Sequence, residues 1–206
     1  MFTKKQLRVL EPFLAHLFRE YSYKELKGKE KSNNSIQSAI KRFKDKSLLT
    51  ERKLGTSKLY SLNQKNELAY PLLELMTQEK LSPIVKKSIV ILKKELEKYT
   101  LFYSIVIFGS YANNTPKKKS DLDVAVIIPN KSPEKNLKIA VHSAENKSLL
   151  NLDVHIITVD DFKEMLTAEY ANLGKEIANQ NLPVYNVEIF YKIIMWGINH
   201  GFKIVS

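Results

Sequence analysis

Two aspartates separated by one leucine, in Ser120-Asp121-Leu122-Asp123, stand at the head of a short apolar run. In a strand, residues i and i+2 share a face. Both carboxylates therefore emerge together, while Leu122 points the other way, into a core. Carboxylates converging at a strand end repel each other unless a cation sits between them. Magnesium suits such a pair, because it takes oxygen ligands and keeps waters and phosphate oxygens. A third acid, Asp153 in Leu152-Asp153-Val154-His155, completes a three-carboxylate site if its strand lies beside that of Asp121. Gly109-Ser110 follows another apolar stretch directly. Glycine there frees the backbone from a Cβ, and serine offers a hydroxyl. His155 shares strand parity with Asp153, so it either approaches the site or crosses a partly buried sheet face.

The positioning elements follow from periodicity. Leu101–Phe108, Leu122–Ile128 and Leu152–Val159 read as strands. Ser132–Lys147 carries helical spacing through Leu137, Ile139, Ala140 and Ala144. This is an α/β unit around a small sheet. Ser82-Pro83 marks the start of the helix that precedes it, running to about Tyr99. Glu169–Gln180 reads as a helix, Asn181–Tyr185 as a loop or short strand, and Phe190, Tyr191, Ile194, Met195 and Trp196 as packing or oligomer contacts.

Upstream the charge changes. The chain of 206 residues carries net +11, and residues 1–80 hold 17 basic against 9 acidic residues. An anion-facing N-terminal unit is one reading of this asymmetry, and a solvated basic face is the other. Leu7, Leu10, Phe13, Leu14, Leu17 and Phe18 form an apolar helix stripe that Pro12 either kinks or begins. Ser22 caps a short helix that Gly28 stops. A third helix runs from Asn33 to Lys46 over Ile36, Ala39, Ile40 and Phe43. Thr50–Leu54 and Lys58–Leu62 then form a hairpin about Gly55-Thr56-Ser57. Leu68, Leu72, Leu73, Leu75 and Met76 outline a further helix, with Pro71 in its first turn.

The absence of cysteine excludes disulfides, thiol catalysis and thiolate zinc sites. No apolar run approaches the roughly 20 residues of a membrane span. The first residues lack the pattern of a signal peptide, so a cytoplasmic setting is expected.

Residues 109–123 resemble the signature of the DNA-polymerase-beta-like nucleotidyltransferase superfamily: Gly-Ser, ten residues, then Asp-x-Asp. The resemblance spans about residues 84–191 and is strongest to the minimal nucleotidyltransferases of prokaryotes, some of which are antitoxins that transfer AMP to a partner toxin. It implies an ATP or other NTP substrate and two Mg2+ ions, with Mn2+ as an alternative. Asp121, Asp123 and Asp153 are the implied metal-binding and catalytic residues. Gly109, Ser110 and Lys119 are the implied nucleotide contacts, with Gly109 letting backbone approach the triphosphate and, if residues 109–112 begin a helix, its amides facing phosphate. The family often has Arg and Gly where Asn113 and Asn114 stand here; Asn114 can take the left-handed conformation a Gly would prefer. Lys117, Lys118 and Lys119 suit either an anionic ligand or simple solvation of a loop.

Residues 3–62 resemble a winged helix-turn-helix domain in element order. That resemblance implies double-stranded DNA through Ser35, Gln37, Ser38, Lys41 and Arg42 on the recognition helix and Arg52, Lys53 and Lys58 on the wing. Winged helices also serve as protein-docking modules. The expected organisation is α/β (α+β): a winged helix domain with linking helix over 1–80, and a catalytic domain over 81–206 with a small mixed sheet flanked by helices. The expected activity is transfer of AMP to an acceptor hydroxyl. The alternative is a DNA-binding regulator or antitoxin-like adaptor that senses nucleotide or binds a partner. A protein acceptor or partner and a homodimer are further expectations.

Overall fold

The computed structural model describes residues 2–30, 32–131 and 134–204. Its chain divides into two compact units, one up to Met76 and one from Thr77.

The first unit starts with a capping box. Thr3 Oγ1 accepts from Gln6 N at 3.2 Å, and Gln6 Oε1 accepts from Thr3 N at 3.0 Å. These cap α1 (Lys4–Leu7). A 3-10 turn over Arg8–Leu10 leads into α2 (Glu11–Ala15), with Pro12 in its first turn. The apolar stripe from Leu7 to Phe18 is thus built from short pieces, because proline begins a helix more easily than it continues one. After β1 (Tyr21–Ser22), Ser22 caps α3 (Tyr23–Lys27) with Glu25 reaching back, and Gly28 at φ 49° ends it. Ser32 caps α4 (Asn33–Asp45), which buries Ile36, Ala39, Ile40 and Phe43. β2 (Leu49–Leu54) and β3 (Ser57–Leu62) pair antiparallel, and β1 adds on the far side of β3. The strand-helix connection ends in α5 (Ala69–Lys80), within which the two units meet in sequence. Leu73 and Met76 are buried on it; Leu75, and Leu68 just before it, are exposed.

The second unit contains α6 (Pro83–Leu96), β4 (Ser104–Phe108), α7 (Gly109–Ala112), β5 (Leu122–Ile128), α8 (Glu134–Lys147), β6 (Leu152–Thr158), α9 (Val159–Thr167), α10 (Leu173–Asn179), β7 (Asn181–Tyr185) and α11 (Val187–Asn199). The sheet order is β6-β5-β4-β7, with β5 parallel to β6 and β4 antiparallel to both β5 and β7. Leu122, Val124, Val126 and Ile128 turn one face of β5 into a core with Ile89 and Leu92 of α6 and Leu137 and Ala140 of α8. α11 packs on β4 and α9 on β6.

Several boundaries move for local reasons. β4 begins at Ser104, and Leu101 and Phe102, expected in the strand, are exposed. β6 stops at Thr158, whose Oγ1 accepts from Asp161 N at 3.0 Å and so caps α9. The helix expected over Glu169–Gln180 starts only at Leu173, because Asn172 caps it. Residues 132 and 133, placed in the polar helix by periodicity, lie outside the described residues; that helix is described from Glu134. Among the described residues no helix is long and apolar enough to cross a membrane.

One buried carboxylate joins α6 to α8. Glu95 accepts from Lys147 at 2.6 Å and from Lys98 at 2.5 Å. Chiefly through these two bonds its pKa falls from 4.5 to about 2. A depressed carboxylate contributes stability that is complete above its unfolded value and lost as pH falls toward its folded one. Glu95→Gln is therefore expected to lower Tm above pH 4.5, with the gap to wild type closing toward pH 2. Thermal melts across that range check it; a gap independent of pH would refute the charge argument.

Candidate active site

β5 and β6 run in parallel with Asp123 directly opposite Asp153. Register partners in a parallel pair share a face, so both side chains emerge from the sheet side opposite Leu122. Asp121 immediately precedes β5. Its turn is held by Ser120, whose Oγ accepts from Lys117 N at 2.9 Å and whose N donates to Lys117 O at 3.0 Å. Leu122 N reaches Asn151 O at 2.8 Å and brings the two strand starts together.

Gly109 ends the adjoining strand β4 at φ 64°. A Cβ placed there would lie 2.2 Å from Asp123 Oδ2 and 3.1 Å from its Cγ. Glycine is thus required twice, by its dihedral and by the carboxylate pressed against it. Gly109 opens the single turn α7, after which Ser110 O accepts from Thr115 N at 2.9 Å. Asn114 stands at φ 57°, the left-handed conformation expected of it. Asn113, in the position where an Arg is often found, donates to Gln180 Oε1 at 2.6 Å and ties this turn to the end of α10. Lys117, Lys118 and Lys119 are exposed along the loop before β5.

The site is electrostatically loaded. Burial pushes the Asp123 pKa up, and the negative charges of Asp153, Asp121 and Glu176 push it further; His155 opposes them. Asp153 meets His155, with Oδ1 3.3 Å from Nε2, and the imidazole ring lies 5.7 Å from Phe108. His155 therefore approaches the site rather than only crossing the sheet. Among the described residues, no group of three or more His, Asp or Glu side chains is drawn close enough to hold a metal ion. Asp153 and Asp121 nonetheless lie near enough for their charges to act on Asp123. The donors remain hard oxygens on one face, of the type a magnesium ion takes. Glu176 was not legible from periodicity, since its charge acts on Asp123 only through the packing of α10 on β4.

The first unit distributes its expected nucleic-acid contacts unevenly. Gln37, Ser38 and Lys41 are exposed on α4 and Ser35 is half-buried. Arg42 instead folds back onto its own unit, donating to Gln6 Oε1 at 3.2 Å and lying 5.2 Å over the Phe2 ring. On the hairpin Lys53 is exposed, but Arg52 is held by Glu20 and Lys58 by Glu51 at 3.0 Å. Glu51 also takes Lys44 of α4 at 2.5 Å. The expected wing cations are thus partly neutralised within the unit.

Residues 87–179 match the family model of the nucleotidyltransferase domain. A nucleotidyltransferase domain is therefore present, and it contains Gly109, Ser110 and all three aspartates. No curated protein matches the chain. Among solved structures, a crystal structure of a toxin–antitoxin with AMP-PNP contains a similar chain: 18% identity over 55% of this chain and 83% of that one, with a TM-score of 0.35.

Proposed function

We propose that the second unit is a magnesium-dependent nucleotidyltransferase that moves a nucleoside monophosphate, AMP from ATP, onto an acceptor hydroxyl and releases pyrophosphate. The observation that carries this is the contact of Gly109 with Asp123, itself in register with Asp153. Gly109 keeps the backbone low beneath the triphosphate, and the Ser110 hydroxyl donates to a phosphate oxygen. Lys119 adds positive charge from the loop. Asp121, Asp123 and Asp153 would hold magnesium, which supplies charge neutralisation on the phosphates and a template for in-line displacement. Asp153, steadied by His155, takes the hydroxyl proton as the acceptor oxygen bonds to the α-phosphorus and the bond to the bridging oxygen breaks. Incubation with α-labelled ATP and cell extract tests the reading. Label should appear in an acceptor with wild type and not with the Asp121→Asn, Asp123→Asn double variant; equal labelling would refute it.

A second reading has its own support. The open arrangement of the acids among the described residues favours a domain that senses nucleotide or binds a partner, as an antitoxin-like adaptor would. In either case we infer that the first unit is a winged helix-turn-helix that contacts double-stranded DNA through the exposed α4 side chains and Lys53. Glu51 then withholds Lys44 and Lys58 from phosphate. Each added phosphate contact steepens the salt dependence of log K by about 0.9. Glu51→Gln is expected to steepen that slope by roughly 1 to 2, measured by fluorescence anisotropy on a duplex between 50 and about 200 mM salt. An unchanged slope would assign these lysines to the fold alone.

A further inference from the structure

The two edges of the second unit's sheet are built differently. At one edge β7 is short, carries Pro183 and meets β4 through a register shift at Ile105/Val106. Proline and irregular register are the usual guards against strand addition. At the other edge β6 reads Leu-Asp-Val-His-Ile-Ile-Thr, without proline or lysine, and pairs with β5 in unbroken register along its whole length. Among the described residues, β5 is its one neighbour in the sheet. Beyond that ladder, no hydrogen bond among the described residues reaches the backbone of residues 153–157. Val154, His155 and Ile156 are half-exposed. An unguarded edge of this length is a template for another strand.

This edge also carries Asp153, whose side chain is 56% exposed. A strand added beside β6 would lie about 4.8 Å away. Its residue opposite Asp153 would project from the same face as Asp123 and Asp153. A hydroxyl on that residue would stand next to the Asp153 carboxylate, on the flank of the site that faces away from Gly109 on β4. Only a polypeptide supplies the alternating N–H and C=O groups that the edge requires.

We propose that β6 is a strand-addition edge: an extended protein segment docks beside it and presents a Ser, Thr or Tyr hydroxyl to the flank of the site at Asp153. The inference rests on the transfer reading and names how an acceptor reaches the site. The hydroxyl oxygen forms a bond to the α-phosphorus of the nucleoside triphosphate, and the bond from that phosphorus to the bridging oxygen breaks. Pyrophosphate leaves with the bonding pair, and the hydroxyl proton passes to Asp153 and then to solvent.

The test uses the full chain with Mg2+ and α-labelled ATP. The probe is a synthetic nine-residue peptide alternating Val with Ser, Thr and Tyr, so that its hydroxyls share one face. The comparison peptide has the same side chains but N-methyl groups on alternate amides, in both possible phases. Such methylation removes ladder donors and leaves every hydroxyl in place. Glycerol and a short oligonucleotide serve as hydroxyl acceptors without a peptide backbone. Labelling of the unmodified peptide is expected, with at least a tenfold loss in one of the two N-methyl phases. Equal labelling of all peptides, or label on glycerol or the oligonucleotide but not on the peptide, overturns strand addition and leaves transfer intact. No label on any acceptor, together with no Mg2+-dependent binding of ATP, overturns the transfer reading and this inference with it. Label appearing on the protein itself, suppressed by the unmodified peptide but not by the methylated one, supports the inference, with a second copy as the natural segment.

Discussion

Gly109→Ala is expected to reduce nucleotide transfer by roughly 100-fold or more, because about 1 Å of misplacement at a reacting centre is sufficient for such a loss. The added methyl would stand 2.2 Å from Asp123 Oδ2, well inside contact distance, so the carboxylate must leave its place opposite Asp153. The backbone contributes a smaller, separate cost: alanine at φ 64° is disfavoured by roughly 1–2 kcal/mol. Gly55 and Gly201 separate the two effects. Both have positive φ, yet a Cβ at either meets nothing within 4 Å. Gly55→Ala should show the conformational cost alone, as a Tm decrease of a few degrees with unchanged transfer. A cycle with Asp123→Ala completes the argument. Once the carboxylate is gone, Gly109→Ala should cost only the conformational amount, so the two substitutions should be strongly non-additive. Additive effects, in Tm and in ATP affinity, would mean that the Gly109–Asp123 contact does not organise the site.

Much of this site was legible before any fold was known, because its signals are local. Asp123 faces away from Leu122 through strand parity alone. Ser22 and Gly28 bracket a helix through capping chemistry, and Asn114 takes a left-handed conformation that few residues other than glycine accept. The pairing of Asp123 with Asp153 needed one further step, that two apolar strands separated by a helix lie side by side, and parallel pairing through a crossover helix is a common outcome. What could not be read depended on distant parts of the chain. The charge of Glu176 acts on Asp123 only because α10 packs on β4, and Glu20 reaches Arg52 across 32 positions of sequence. Arg52 looked like a free cation because its partner Glu20 lies in a segment with no periodicity of its own; Lys58 meets Glu51 only through the register of the hairpin, which pairs Glu51 with Tyr60. The helix α9 was missed for a related reason: its apolar positions Phe162 and Leu166 directly continue a strand, and only the Thr158 cap divides the two.

Asp123→Asn is expected to move stability and function in opposite directions. The fold raises the pKa of this carboxylate, by burial first and then by the charges of Asp153, Asp121 and Glu176. A raised folded pKa means that the native state holds its proton more tightly than the unfolded chain. Stability therefore falls as pH rises from the ordinary carboxylate value through the raised one, and the penalty is fully present above it. Asparagine keeps the shape and cannot ionise, so in metal-free buffer at neutral pH the variant should melt no lower than wild type, and higher if repulsion dominates. Added magnesium should then distinguish the two proteins. For wild type, MgATP should raise Tm, because any ligand that binds only the folded chain stabilises it by mass action. For the variant, the increment should shrink and transfer should fall by at least tenfold, since a charge-assisted contact contributes about 1.5–3 kcal/mol. Asp153→Asn should lose transfer as well, but with a smaller change in metal-free Tm, because its side chain is the more exposed of the pair. Titrating Mg2+ by thermal shift for the three proteins checks all of these outcomes together. If Asp123→Asn proved less stable than wild type without metal and kept the full magnesium increment, Asp123 would be a packing residue, and the convergence of acids beside Gly109 would need another explanation.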